Sequence, residues 1–188
     1  MKRRSYAMKY INWIDLETTG LDVEHDEILE VAFIATDGLY NPLMIGSTGV
    51  MHEVSAIVGK DENRLRMTDW AWRQHQELAH LCFNKPAGDL AHVDAIVAAA
   101  IESAGTVGAH LGGSSPHFDR AFIERYMPRT NEVLGYRNHD VSTLLSYADT
   151  RGIPIHDDTE APHRALEDLR RSIRRARIFD KAVRGEVK

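Results

Sequence analysis

Two apolar segments separated by a short acidic loop constrain the fold of this chain more than any other feature of its sequence. YINWIDL, residues 10 to 16, and EILEVAFIAT, residues 27 to 36, are rich in the β-branched and aromatic residues that favour strands. A Gly-Leu-Asp turn and an acidic loop lie between them. A third apolar stretch, PLMIGSTGVMHEV, contains two glycines and predicts a strand pair or a bulged edge strand. We therefore expect the sheet to begin with antiparallel strands.

Strands and helices alternate in the rest of the chain. MTDWAWRQHQELAHL and DLAHVDAIVAAAIESAG have the apolar spacing of helices. The short strands TVGAH and LGYRNHDV each precede a helix, for which Ser115 and Ser142 are the predicted N-caps. A final helix is expected from about residue 161, since its apolar residues recur three and four apart. Antiparallel strands followed by strand–helix alternation predict a mixed α/β domain.

The composition favours one ordinary globular domain. Of the 188 residues, 43% are hydrophobic and 27% are charged, which is typical of a folded protein. We expect a single domain over residues 8 to 180, preceded by a flexible arm at residues 1 to 7 and followed by a tail at residues 181 to 188. Met8 lies directly before the first strand, so residues 1 to 7 are interpreted as a flexible arm or, alternatively, as an upstream start.

Charge and cysteine content limit the function and the compartment. The net charge of −5 argues against a large phosphate-neutralising surface, but not against a small site where metal ions meet a phosphate. The single cysteine, Cys82, is expected to be a small core residue in a reducing compartment. INWIDLETTG is too short and too acidic for a signal peptide or a membrane span, so the cytoplasm is the expected location.

Acidic residues in structured positions are the candidates for chemistry. Asp15 and Glu17 lie two apart in a strand, so they project from the same face and repel unless a proton or a cation lies between them. Asp119 falls in a first helical turn and Asp168 lies early in the final helix. Either acid alone would more often be a surface residue that complements the helix dipole. His163 would lie about 140° from Asp168 on a regular helix, so we expect it at the mouth of that helix.

Three segments together resemble the motifs of the DEDDh 3′-to-5′ exonucleases. They are DLETTGL at residues 15 to 21, Asp119 in a helix that follows a strand, and HRALED at residues 163 to 168. The similarity extends from Trp13 to about Arg175. It implies a ribonuclease H-like fold, which is a mixed five-stranded sheet flanked by helices.

Within that superfamily the chain is most similar to the oligoribonucleases, which cleave the shortest RNA fragments. The similarity rests on WIDLETTGLD, DWAWRQH, YRNHDVST and HRALEDLRRSI, of which YRN-x-DVST is the most discriminating. It implies hydrolysis of very short oligoribonucleotides, dinucleotides in particular, from the 3′ end. The chain departs from that pattern at Thr18, where a methionine is usual, and at GGSSPHFD, where GNSIGQD is usual.

The resemblance also implies a metal site. Carboxylates without a cysteine suit Mg²⁺ or Mn²⁺, and the family's two-metal scheme needs two divalent cations per site. Asp15 would bridge both ions, Glu17 and Asp168 would bind the ion on the nucleophile side, and Asp119 would hold the second ion. His163 would act as the general base, a role that suits an imidazole at neutral pH.

A substrate site follows from the same resemblance. Leu21 matches the wedge between the two terminal bases, and Trp70 and His75 match residues that flank them. The 5′ end of a short RNA would be enclosed by Ser115, Tyr136, Arg137, Ser142 and Thr143. The Tyr-Arg pair would come from a partner subunit, which implies a homodimer.

Other interpretations of these residues remain open. The chain could be a general DEDDh exonuclease acting on longer RNA or DNA ends, or a nuclease-like module that binds without catalysis. Trp70 and Tyr136 could be core or interface aromatics. The arginines in the final helix are interpreted as a solvated face, which is the usual meaning of such a run.

Overall fold

The computed structural model describes residues 8–85, 90–157, 159 and 163–186, so the predicted arm at residues 1 to 7 lies outside the described residues. In chain order the elements are β1 (Tyr10–Thr18), β2 (Ile28–Asp37), β3 (Glu53–Ile57), α1 (Asp69–Phe83), α2 (Leu90–Ser103), β4 (His110–Gly113), α3 (His117–Tyr126), α4 (Pro128–Val133), β5 (Asn138–Asp140), α5 (Val141–Thr150) and α6 (Ala165–Val183). Within these residues, no helix combines the length and the apolar character that crossing a membrane requires.

The five strands form one mixed sheet in the order β3-β2-β1-β4-β5. β2 pairs antiparallel with both β1 and β3, whereas β4 pairs parallel with both β1 and β5. The predicted opening of antiparallel strands and the five-stranded mixed sheet are confirmed. The third apolar stretch forms the edge strand β3 and an isolated bridge between Met44 and Met51.

The sheet is covered on both faces, and the alternation along β1 decides which residues meet which helices. Ile14 and Phe33 belong to a core with residues of α2 and α3. Trp13 lies in a second core with residues of α5 and α6. Asp15 and Glu17 continue the Trp13 side of β1, so they lie at the end of the strand on the face that α6 covers.

Two predicted N-caps are wrong, and the final helix begins later than expected. Ser115 has a left-handed φ of 57° and Pro116 precedes α3, while the N-cap of α5 is Asp140 and not Ser142. Both serines hydrogen-bond to another element or to each other instead of capping their own helices. The final helix begins at Ala165.

Candidate active site

Three carboxylates from two elements converge at the end of β1. Asp15, Glu17 and Asp168 each offer an oxygen, and these oxygens lie within 4.8 Å of one another. Asp168 is in the first turn of α6, which packs across the face of the sheet that carries the other two. Its Oδ1 atom is buried and has no hydrogen-bond partner among the described residues. A buried carboxylate oxygen without a protein partner in such a group is available to bind a cation.

Asp119 joins this group from the neighbouring helix. It lies in the first turn of α3, as predicted, and is 8% exposed. Its Oδ1 accepts a hydrogen bond of 3.0 Å from the backbone N–H of Leu16, the residue between Asp15 and Glu17. Asp119 and Asp15 line one cavity of about 170 Å³. The start of α3 is therefore attached directly to the strand that carries the acid pair.

Burial and mutual repulsion disfavour ionisation of these acids. Burial, followed by the charges of Asp119, Glu17 and Asp168, raises the pKa of Asp15 well above its ordinary value. Burial and the charge of Asp168 raise the pKa of Glu17 to about 8. Burial raises the pKa of Asp119 to about 7. The group needs protons or cations to be stable, and its all-oxygen donor set fits a hard divalent cation.

His163 lies beside this acid group. It has a left-handed φ of 50° and comes two residues before the start of α6, at the mouth of the helix as predicted. With Asp15 and Asp168 it lines a second cavity, of about 260 Å³. Its ring centre lies 6.1 Å from that of His75, edge to face. An imidazole at this position can accept a proton from a group in the cavity.

A partly buried ion pair that the sequence analysis missed holds the start of α6 on the sheet. Glu30 in β2 is 1% exposed. It accepts hydrogen bonds of 2.9 and 2.7 Å from the guanidinium of Arg164 and one of 3.1 Å from the backbone N–H of Ala165. Arg164 follows His163 directly, so this pair also places the histidine. An acid inside an otherwise apolar strand was the one available signal.

Leu21 lies on a turn that is tied down by Asp26. Asp26 accepts a hydrogen bond of 2.9 Å from the Thr19 hydroxyl and one of 2.8 Å from the Asp22 backbone N–H. A Cβ atom on Gly20 would come within 2.3 Å of the Asp26 carboxylate, so the turn requires glycine there. Leu21 is 64% exposed and lines the smaller cavity. The turn therefore presents a fixed apolar side chain beside the acid group.

Trp70 and His75 have different surroundings although both belong to α1. Trp70 is 51% exposed, whereas His75 is 3% exposed. The His75 Nε2 atom lies 3.5 Å from Glu17 Oε2, and its ring meets that of Trp70 edge to face at 6.1 Å. The backbone of α1 leaves helical geometry at His75. Trp70 offers an open ring face, and His75 connects that ring to the acid group.

Three further predicted residues are organised by Asp140, which the sequence analysis did not single out. Its carboxylate accepts hydrogen bonds from the backbone N–H of Ser115 at 3.0 Å, the backbone N–H of Ser142 at 2.9 Å and the hydroxyl of Thr143 at 3.0 Å. The hydroxyls of Ser115 and Ser142 are 3.1 Å apart. These three residues therefore form one polar group, and Ser115 also lines the smaller cavity.

Tyr136 and Arg137 lie apart from these groups. Tyr136 is 80% exposed, and the guanidinium of Arg137 lies 5.0 Å from the centre of its ring. Among the described residues that line the two cavities beside Asp15, neither appears. Within one chain the pair is an exposed surface feature.

The family model and the similar sequences all indicate exonucleases. The exonuclease family RNase_T matches residues 12–175. An oligoribonuclease from Coxiella burnetii is 33% identical over 171 residues, which cover 89% of this chain and 90% of that protein. An oligoribonuclease from Ectopseudomonas mendocina is 35% identical over 165 residues, which cover 86% of this chain and 88% of that protein.

Solved structures share the fold at lower identity. Exonuclease I from Methylocaldum szegediense aligns with a TM-score of 0.66 at 19% identity, covering 92% of this chain and 40% of that one. Pop2p from S. pombe, in a form with Mg²⁺ and Mn²⁺ bound, aligns with a TM-score of 0.59 at 12% identity, covering 93% and 83%. The chain thus spans about two fifths of the length of that exonuclease I.

Proposed function

This chain belongs to the RNase_T family of exonucleases and is a 3′-to-5′ exonuclease, and we propose that its substrates are very short oligoribonucleotides, dinucleotides in particular. The observation that carries the proposal is the identity of 33% to an oligoribonuclease over 89% of this chain and 90% of that protein. The RNase_T match over residues 12–175 includes the segments around the acid group and those of the predicted substrate site.

The acid group is the proposed site of hydrolysis. Asp15, Glu17, Asp119 and Asp168 would hold two divalent cations, Mg²⁺ or Mn²⁺. The cations would supply Lewis acidity at the reacting phosphate. The unpartnered Oδ1 of Asp168 and the oxygens within 4.8 Å of one another support this assignment. The family's use of divalent metals agrees with it.

His163 is the proposed general base. It lines the same cavity as Asp15 and Asp168. It takes a proton from the attacking water, whose oxygen bonds to phosphorus while the bond to the 3′ oxygen breaks. The 3′ oxygen is protonated, and a 5′-mononucleotide leaves.

The proposed substrate contacts surround this centre. Leu21 and Trp70 offer apolar and aromatic surfaces to the terminal bases, with His75 behind them. Stacking of this kind tolerates any base, which suits an enzyme that degrades mixed fragments. The polar group of Ser115, Ser142 and Thr143 receives the 5′ end.

A homodimer completes the proposed site. Tyr136 and Arg137 are exposed and line neither of the two described cavities beside Asp15, which supports a contribution to the partner's site. A guanidinium brought to the 5′ end from a second subunit would limit the length of RNA that fits.

The test of this proposal compares substrate lengths. Hydrolysis of a 5′-labelled diribonucleotide and of a 20-mer of the same composition is measured with Mn²⁺, and again with EDTA. We expect strong preference for the dinucleotide and loss of both activities in EDTA. Equal or faster cleavage of the 20-mer would refute the preference for short RNA and leave a general exonuclease. The Asp15→Asn variant serves as the inactive control.

A further inference from the structure

The arginines of α6 differ in their surroundings, although the sequence suggested one solvated face. The run consists of Arg170, Arg171, Arg174, Arg175 and Arg177. Arg170, Arg174 and Arg175 form ion pairs with acidic side chains, and Arg177 donates to the carbonyl of Tyr40. Arg171 has no hydrogen bond or ion pair with any described residue, and its Nε atom is buried.

Arg171 lines the cavity of the proposed reaction. That cavity, of about 260 Å³, is also lined by Asp15, His163 and Asp168. Arg171 is close enough to Asp168 for the two charges to interact, but its buried Nε atom has no acceptor among the described residues. An oxygen that enters this cavity with a substrate would supply that acceptor.

Helical spacing fixes Arg171 relative to the acid group. Three residues lie three, four and seven positions after Asp168, namely Arg171, Ser172 and Arg175. All four residues therefore share one face of α6. The hydroxyl of Ser172 lies 2.8 Å from that of Ser114, the first residue after β4. This contact holds the face against the sheet next to β1. The guanidinium is therefore held one turn beyond Asp168 and turned toward the same cavity.

We propose that Arg171 binds a non-bridging oxygen of the scissile phosphate. A planar guanidinium matches phosphate oxygens, and a phosphodiester is the acceptor that the exonuclease reaction brings to this cavity. Charge that develops on those oxygens during displacement strengthens the contact. The inference rests on the proposed placement of the reaction at Asp15 and Asp168, but not on a preference for short RNA.

The experiment uses a substrate that contains no phosphate except the scissile one, the p-nitrophenyl ester of uridine 5′-monophosphate. Wild type, Arg171→Gln, Arg171→Lys and Arg184→Gln are compared on this ester and on a diribonucleotide with Mn²⁺. Arg184→Gln is the matched control, since it removes one positive charge at the far end of α6, where Arg184 pairs with Asp180. We expect kcat/KM of Arg171→Gln to fall about tenfold or more on both substrates. Arg171→Lys should recover part of the loss, and the control should match wild type.

A binding measurement separates substrate contact from effects on the acids. Calorimetry with Mg²⁺ should show that Arg171→Gln weakens binding of 5′-AMP but not of adenosine. Mn²⁺ affinity should stay equal or rise, since a positive charge near Asp168 is removed. Loss on the diribonucleotide with a normal rate on the ester would overturn the assignment to the scissile phosphate. Unchanged 5′-AMP binding, or weaker Mn²⁺ binding, would also overturn it. A wild-type preference for the 20-mer would refute only the proposed function, because the ester comparison does not depend on substrate length.

Discussion

Asp15 places a carboxylate on a face of β1 that is otherwise apolar. The preceding residues on that face, Ile11 and Trp13, are fully buried. Glu17 continues the same face, and Asp168 is brought against both. Burial and repulsion among ionised acids oppose folding, so these residues are costly to the metal-free protein. When a cation binds, these carboxylates stabilise the folded protein, because their negative charges then attract the cation and no longer only repel one another.

This predicts how the stability of the metal-free protein depends on pH. The pKa of Glu17 is raised from 4.5 to about 8, and that of Asp119 from 3.8 to about 7. Between these limits the folded state binds more protons than the unfolded state, so stability falls as pH rises. In EDTA we expect a loss of at least about 1 kcal/mol from pH 6.5 to pH 8, or about 2–4 °C in Tm. Mn²⁺ should raise Tm more at pH 8 than at pH 6.5. Urea unfolding in EDTA that shows higher stability at pH 8 than at pH 6.5 would contradict this.

At the scale of elements, the site depends on contacts between segments that are far apart in the sequence. The acids of β1, α3 and α6 were predicted because each falls in a recognisable local motif. The Glu30–Arg164 pair was not, since its members are 134 residues apart and only the folded chain brings β2 to the start of α6. Asp140 was missed because the sequence favoured Ser142 as the N-cap of α5, and its contact with the Ser115 N–H requires β5 to lie beside β4.

Glu30→Gln tests the role of this pair. The substitution leaves Arg164 without its charged partner and weakens the acceptor for the Ala165 N–H. We expect a loss of about 1–3 kcal/mol in the free energy of unfolding, because Glu30 is buried and Arg164 is only partly exposed. Misplacement of His163 and Asp168 should lower kcat more than it raises KM. Glu53→Gln, at the partner of Arg170, is the control on the neighbouring strand. Unchanged kcat and unchanged urea midpoint in Glu30→Gln would contradict this account.

His139 in β5 gives a second pH effect, which is independent of the acid group. Its ring packs edge-on against Trp13 with centres 5.6 Å apart, and its buried Nε2 has no partner among the described residues. Burial lowers its pKa from 6.5 to about 4. The folded state therefore loses stability as pH falls from 6.5 toward 4, by about 1–2 kcal/mol. His139→Phe keeps the ring and removes the titration, so its stability relative to wild type should increase as pH falls through this range. An equal pH dependence in both proteins would show that His139 does not contribute.

At the scale of the whole molecule, the chain covers nearly the full length of the oligoribonucleases it resembles and about two fifths of exonuclease I. The antiparallel start of the sheet and the mixed α/β class could be predicted from local strand and helix signals, whereas the five-stranded sheet was what the family resemblance implied. The place of Tyr136 and Arg137 could not be predicted from one chain, in which they are exposed and line neither described cavity beside Asp15.

Subunit mixing tests whether Arg137 acts in a partner's site. Asp15→Asn and Arg137→Ala should each be inactive, or nearly so, on a diribonucleotide when assayed alone. A mixed dimer joins an intact acid group in one subunit to Arg137 of the other, so mixing the two variants should restore activity. Sedimentation should find dimers in every sample. No recovery on mixing, or full activity of a proven monomer, would contradict a shared site.

The central claim is that the buried acids at the end of β1 hold the metal ions used for hydrolysis. Calorimetric titration of the metal-free protein with Mn²⁺ measures the number of bound ions directly. It is carried out on wild type, Asp15→Asn and the exposed control Glu62→Gln. We predict two bound ions per chain in wild type and the control, at most one in Asp15→Asn, and a parallel loss of diribonucleotide hydrolysis of about a hundredfold or more. Wild-type Mn²⁺ binding and near-normal hydrolysis in Asp15→Asn would contradict the account.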